Sequence, residues 1–174
     1  MKDLMVDIET LGNTSTAVIT QIGACYFNRY NGETGDEFTM NINPHTCLNS
    51  GLTMDYDTVK WWMSQPKEDR GWMEDGASLV VVLYKFYEFC KHGTETVWAH
   101  ATFDFPILMN AYRAISHKFP FHFRSMRDIR TLVDLSGLDF DKKKKDKNHN
   151  ALDDCKYQVE YCVECFKALR KEPK

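Results

Sequence analysis

The sequence places acidic residues at spacings that suit binding of a divalent cation. The first pair is Asp7 and Glu9, in Lys2-Asp3-Leu4-Met5-Val6-Asp7-Ile8-Glu9. Residues two apart on a strand point to the same face. Two carboxylates so placed repel each other and are costly to bury. An edge strand would simply show them to water. Here the flanking pattern reads as an early, central strand, where buried acids need a counter-charge and a divalent cation is the usual one. Asp104 ends the segment Ala99-His100-Ala101-Thr102-Phe103-Asp104, just after a strand and at a helix start, where N-capping alone is enough to explain an aspartate. The third segment, His149-Asn150-Ala151-Leu152-Asp153-Asp154, opens the last helix. Aspartates suit any helix N-terminus. A histidine five residues before Asp154 also lets one group work on a water while the other holds metal.

The elements that must position these residues follow from hydrophobic periodicity. Residues 2–9, 17–28 and 36–42 read as strands, with breaks at Gly12-Asn13 and in Asn31-Gly32-Glu33-Thr34-Gly35. Three strands joined by short turns predict an antiparallel meander. Helical spacing follows over 57–65, with Asp57 as N-cap, and over 76–92, with Asp75 as cap and Gly93 after its end. Residues 96–99 read as a short buried strand, 104–116 as a helix with Pro106 in its first turn, and 128–135 as a short helix. The last helix spans 151–170, with Leu152, Cys155, Val159, Cys162, Val163, Phe166 and Leu169 on one stripe.

Composition bounds the rest. With 174 residues, 43% hydrophobic and 27% charged, the chain fits one soluble domain over 1–174 with a real core. The net charge of −3 excludes a uniformly basic nucleic-acid coat, so any grip on a polyanion must come from local charge or metal ions. The longest apolar run, Leu79 to Tyr84, is far short of the roughly 20 residues a spanning helix needs. Met1-Lys2-Asp3-Leu4 lacks a signal-peptide core, which predicts a cytoplasmic protein with no membrane association. The six cysteines are scattered among apolar neighbours and read as reduced and buried. Cys162 and Cys165 form a single CxxC; structural zinc wants four ligands, and no second paired motif exists.

The four acids and the histidine form a set whose order, spacing and contexts are specific together. The chain resembles the DEDDh (DnaQ-like) class of 3′-to-5′ exonucleases. The matching residues are Asp7-Ile8-Glu9-Thr10-Leu11-Gly12, Gln21-Ile22-Gly23-Ala24, Phe103-Asp104 and His149-x4-Asp154. Within that class it looks most like the phage and prophage branch of phage exonuclease A and exodeoxyribonuclease VIII-like proteins. The features are Thr58-Val59-Lys60-Trp61-Trp62-Met63-Ser64-Gln65 and the run from His149 to Gln158. The resemblance implies an α/β, ribonuclease H-like fold, with a mixed central sheet of three antiparallel strands plus parallel strands, flanked by helices. It implies a 3′-5′ exonuclease with two Mg²⁺ (Mn²⁺ able to substitute), acting mainly on single-stranded DNA or RNA 3′ ends. A homodimer is compatible with it.

By that resemblance Asp7 bridges both ions, Glu9 and Asp154 complete the first site, Asp104 holds the second, and His149 is the general base. Asp153, adjacent to Asp154, points elsewhere on the helix and is expected either in solvent or as a supporting partner behind the metal ligands. On the substrate side, the backbone at Thr10 and Leu11 would meet the 3′ terminus and Leu11 would wedge between bases. Phe103 either stacks on a base or packs in the core. Trp61 and Gln65 lie on a helix that can stack single-stranded substrate. Lys144 and Lys145, within the run Lys142 to Lys147, place positive charge beside His149 for phosphate contacts, although such a run is ordinarily a solvated loop. One departure stands out: His100 occupies a position where many relatives have Asn, and reads as a hydrogen-bonding substitute that can alter sugar or base preference. The alternatives are an enzyme directed to RNA rather than DNA, and a non-catalytic nucleic-acid-binding module of the same fold.

Overall fold

The structure is a computed structural model that describes residues 2–91, 93–140 and 149–170. Strands β1 (Asp3–Thr10), β2 (Ile19–Phe27) and β3 (Thr34–Asn41) form the expected antiparallel meander. β4 (Thr96–Ala99) pairs parallel to the other side of β1, and β5 (Met126–Asp128) parallel to β4. The five-stranded sheet has the order β3-β2-β1-β4-β5, so β1 is its centre. β5 was not foreseen, because Met-Arg-Asp carries no apolar alternation.

Helices α1 (Pro44–Asn49), α2 (Tyr56–Ser64), α3 (Leu79–Cys90), α4 (Asp104–Ala114), α5 (Ile129–Ser136) and α6 (Ala151–Leu169) cover the sheet. α1 and a 3₁₀ segment at Lys67–Met73 are also additions to the sequence reading. Two expected caps are corrected. α2 is capped by Asp55, whose carboxylate accepts the Thr58 N–H at 2.9 Å, and α3 by Ser78. A cap must sit in extended backbone one residue before the first helical one. Asp55 meets that condition, whereas Asp57 already lies inside the helix.

Alternation along β1 sorts the core into two. Leu4, Val6 and Ile8 pack with Val82, Leu83 and Phe86 of α3 and Ile107 and Leu108 of α4. Met5 faces the opposite side, with Cys25, Phe27 and Trp98, beneath Ile129 and Leu132 of α5 and Cys155, Val159 and Cys162 of α6. Asp3, Asp7 and Glu9 share that second face by the same period of two. β1 is thus covered on both faces, which makes its acids costly and keeps them from being the wet side of an edge strand. All six cysteines are free and buried. Cys162 and Cys165 are both 0% exposed, and among the described residues no cysteine belongs to a group of three or more side chains that could hold a metal. Among the described residues, no helix is long and apolar enough to cross a membrane.

Candidate active site

The acids meet where the parallel strands end. In an open α/β sheet the crevice lies outside the carboxyl ends of the strands, at the point where strand order reverses. Here that point is between β1 and β4. Asp7 is paired with Gly23 on β2, and Glu9 with Gln21. Gly23 has a steric reason. A Cβ there would lie 2.2 Å from the Ala151 carbonyl carbon and 2.4 Å from the Leu152 nitrogen. Only glycine lets the first turn of α6 press onto the sheet directly over β2. Gln21 then fixes that turn: its Oε1 accepts the Ala151 N–H at 2.7 Å, while its Nε2 donates to Asn41 Oδ1 on β3 at 2.8 Å. Asn150 caps α6, accepting the N–H groups of Leu152 and Asp153. Asp154, one position further, turns inward and is buried, whereas Asp153 is exposed as expected.

Gln158, one turn after Asp154, is 4% exposed and donates from Nε2 to Asp7 Oδ1 at 2.7 Å. Its Oε1 is buried and has no hydrogen-bond partner among the described residues. On the other side of β1, the chain leaves β4 at Ala99 and enters α4 at Asp104. The Asp104 carboxylate accepts the His100 N–H at 2.7 Å, so it closes the connection instead of capping the helix. Asp104 is 1% exposed. Burial, then the neighbouring charge of Asp7, pushes its carboxyl well above the ordinary range, against the backbone N–H groups of His100 and Ile8 and the charge of Arg130. Asp128, at the end of β5, both caps α5 through the Thr131 N–H at 2.8 Å and accepts the Ala101 N–H at 2.9 Å.

Two groups of side chains result. Asp7, Glu9 and Asp154 each bring a carboxylate oxygen within 4.8 Å of the others; Asp7, His100 and Asp104 do the same with one ligand atom each. Asp7 is common to both. A cavity of about 660 Å³ covers them, lined also by Phe103, Arg130, Tyr157, Gln158, Tyr161 and His149. The His149 ring stands edge-on to Trp61, centroids 4.7 Å apart, and to Trp62 at 5.7 Å. Trp62 is fixed in turn by its indole N–H, which donates to the Thr10 carbonyl at 2.8 Å. The donor set is mostly hard oxygen on buried acids, which fits a divalent cation.

A family model for a 3′-5′ exoribonuclease Rv2179c-like domain matches residues 2–166. The chain belongs to the Rv2179c-like exoribonuclease domain family. The structural comparisons agree on the fold. The nuclease domain of 3′hExo, a DEDDh family member bound to rAMP, superimposes with a TM-score of 0.62 at 16% identity, covering 95% of this chain and 91% of that one. Exonuclease I from Methylocaldum szegediense gives 0.70 at 16% identity, covering 97% of this chain and 40% of that one. E. coli Exonuclease I in complex with a 5cy-dA13 oligonucleotide gives 0.67 at 12% identity, over 92% and 39%. This chain therefore spans about two fifths of the Exonuclease I chains it resembles. No curated protein matches it by sequence comparison. Within the Rv2179c-like family this chain has the expected ribonuclease H-like, mixed α/β fold.

Other expected site residues are placed differently. Phe103 lines the cavity and also packs against the core. Leu11 is 2% exposed in the core, with its N–H given to Val18 and its carbonyl to the Asp55 N–H, which corrects the wedge: it has no side-chain surface to insert between bases. Thr10 is buried and its hydroxyl donates to the Gly12 carbonyl. Gln65 donates to the Trp61 carbonyl at 3.2 Å and does not line the cavity. Trp61 is half exposed against His149. Lys144 and Lys145 lie outside the described residues. Gln158, Arg130 and Asp128 were missed as site residues. Gln158 stood only as the end of the run from His149 that carries the branch resemblance, and Asp128 only as a helix start.

Proposed function

We propose that this domain removes nucleotides from the 3′ end of single-stranded nucleic acid with two divalent cations, RNA ahead of DNA. The observation that carries this is Asp7 shared between two ligand groups. Asp7, Glu9 and Asp154 would hold one cation; Asp7 and Asp104 the other. A pair of such ions stabilises the charge that builds on the attacking and leaving oxygens of a phosphodiester. Mg²⁺ suits the oxygen donors, with Mn²⁺ able to replace it.

The remaining work falls to the chain's own side chains. His149, at the cavity wall, takes a proton from the attacking water. Trp61 and Trp62 limit the tilt of its ring. Gln158 orients Asp7 through its amide N–H. Arg130 reaches the cavity from α5 and offers a cation to the substrate phosphates, a bidentate task that suits a guanidinium. Phe103 offers a face to the terminal base. The preference for RNA rests on the family's description as exoribonucleases. A position nearer the phage exonuclease A branch rests on the Trp61-Trp62 segment and the run from His149 to Gln158 alone.

The test is one gel. End-labelled single-stranded RNA, single-stranded DNA and duplex are incubated with protein and Mg²⁺ or a chelator. A 3′-to-5′ ladder on RNA that the chelator abolishes is expected. A ladder that persists with the chelator would contradict the cation reading, and binding without cleavage would leave the non-catalytic module.

A further inference from the structure

We infer that His100 supplies a nitrogen donor to the second cation, and that this site therefore favours Mn²⁺ over Mg²⁺. The inference rests on the two-cation reading above. It goes beyond that reading, which drew only on the carboxylates of Asp7 and Asp104 for this cation. An imidazole ring nitrogen of His100 and one carboxylate oxygen each from Asp7 and Asp104 all lie within 4.8 Å of one another. Three donors converging at that distance leave room for one ion at their centre.

The backbone fixes the imidazole there. The His100 N–H is held by Asp104 at 2.7 Å, and the next residue's N–H by Asp128 at 2.9 Å. The His100 carbonyl accepts the N–H groups of Phe103 and Asp104, at 2.8 and 3.0 Å. Three of these hydrogen bonds tie the loop to β5 and α4 and the fourth closes it on itself, so its side chain is delivered from a rigid support. A second observation concerns Asp7, the residue both ligand groups share. Gln158 lines the same cavity, 4% exposed, with one end of its amide donating to Asp7 and its Oε1 buried without a partner among the described residues. That oxygen is an acceptor suited to a water carried by a cation beside Asp7.

The chemistry decides which cation. Oxygen-only sites suit Mg²⁺, which sheds its waters reluctantly. A neutral imidazole nitrogen moves a site toward first-row transition metals; Mn²⁺ gains least among them, yet gains more than Mg²⁺, which keeps to oxygen. The rival reading makes His100 a cationic partner of Asp7 and Asp104. A positive ring there would compete with metal, so removing it would tighten metal binding.

The experiment saturates the full chain with Mn²⁺ alone and records pulsed electron paramagnetic resonance. The expected spectrum shows ¹⁴N coupling from a directly bound imidazole. His100→Asn should lose that coupling and His149→Ala should keep it. In competition titrations, His100→Asn should lower Mn²⁺ affinity relative to Mg²⁺ by at least about tenfold, the scale for losing even a supporting partner of a metal site. Mn²⁺ bound to the wild-type chain without ¹⁴N coupling would overturn the inference and leave the two-cation reading standing. Coupling that survives in His100→Asn, or tighter Mn²⁺ binding by that variant, would overturn it equally. Failure of the wild-type chain to bind either ion would overturn the cation reading itself, and this inference with it.

Discussion

Asp3 and Asp7 lie on one strand, face the same layer of helices and are each 7% exposed, yet their surroundings are opposite. Asp3 is held by Arg29, Thr96 and Trp98: the Arg29 Nε donates at 2.9 Å and the Trp98 indole at 3.2 Å. Arg29 in turn stacks over Trp98 and Phe166. Burial pushes the Asp3 carboxyl up, but Arg29 and Thr96 outweigh it and hold it below the ordinary range. Asp7 sits instead among Glu9, Asp104 and Asp154. The same face of β1 thus ends in a neutralised lock at its start and a concentration of negative charge near its finish. A buried acid with its own arginine stabilises the fold; buried acids crowded together do so poorly and serve a cation that arrives from solution.

This contrast predicts opposite results from the same substitution. Asp7→Asn should lower turnover on the order of a thousandfold, comparable to losing a principal electrostatic stabiliser, while the melting temperature without metal holds or rises because one repelling charge has gone. Equal losses of turnover and stability would break the comparison. His149→Ala should cost about a hundredfold in kcat, the general-base scale, with little change in KM; an unchanged kcat would remove His149 from the reaction.

Asp3→Asn should do the reverse. It should cost roughly 2–3 kcal/mol of stability, somewhat under the loss for a fully buried broken pair because Arg29 keeps some exposure, and leave turnover per folded molecule unchanged. The pH dependence follows from the depressed carboxyl. The unfolded chain binds a proton at a higher pH than the folded one does, so the stabilisation is complete above the ordinary carboxylate range. It is lost as pH falls through that range toward the folded value. Acid unfolding monitored by circular dichroism should show this limb in the wild type and a flatter one in Asp3→Asn.

Gly23→Ala tests how the charged end is assembled. The new methyl would press into the backbone of Ala151, so α6 must shift, at a cost of about 1–3 kcal/mol for overpacking. Turnover should fall more than stability does, because Asp154 and Gln158 move with the helix. Arg130→Ala should give the smallest effect, a few-fold rise in KM that shrinks as salt increases, with kcat nearly constant.

Much of this was legible in the sequence, for definite reasons. The meander showed because apolar and acidic residues alternate at the end of β1, β2 is rich in apolar residues, and the breaks carry Gly and Asn. Asp104 and Asp154 each have an ordinary reason to stand at a helix head, and they stood out only together with Asp7, Glu9 and His149, through order and spacing. What was not legible depends on close packing. Gln158 lies within the buried stripe of α6, and its amide contact with Asp7 spans 151 residues. Gly23 carried no visible reason until Ala151 was seen against it. The expectation for Leu11 failed because an apolar residue after a strand serves a core as readily as a base. β5 is three residues long and is held by pairing to β4, a long-range effect no local pattern announces.

The most direct test of the account is a crystal of the full chain soaked in Mn²⁺ and measured for anomalous scattering. The account predicts two peaks, one on each side of Asp7, one reached by Glu9 and Asp154 and the other by Asp104. Absent peaks, or peaks away from these carboxylates, would contradict it.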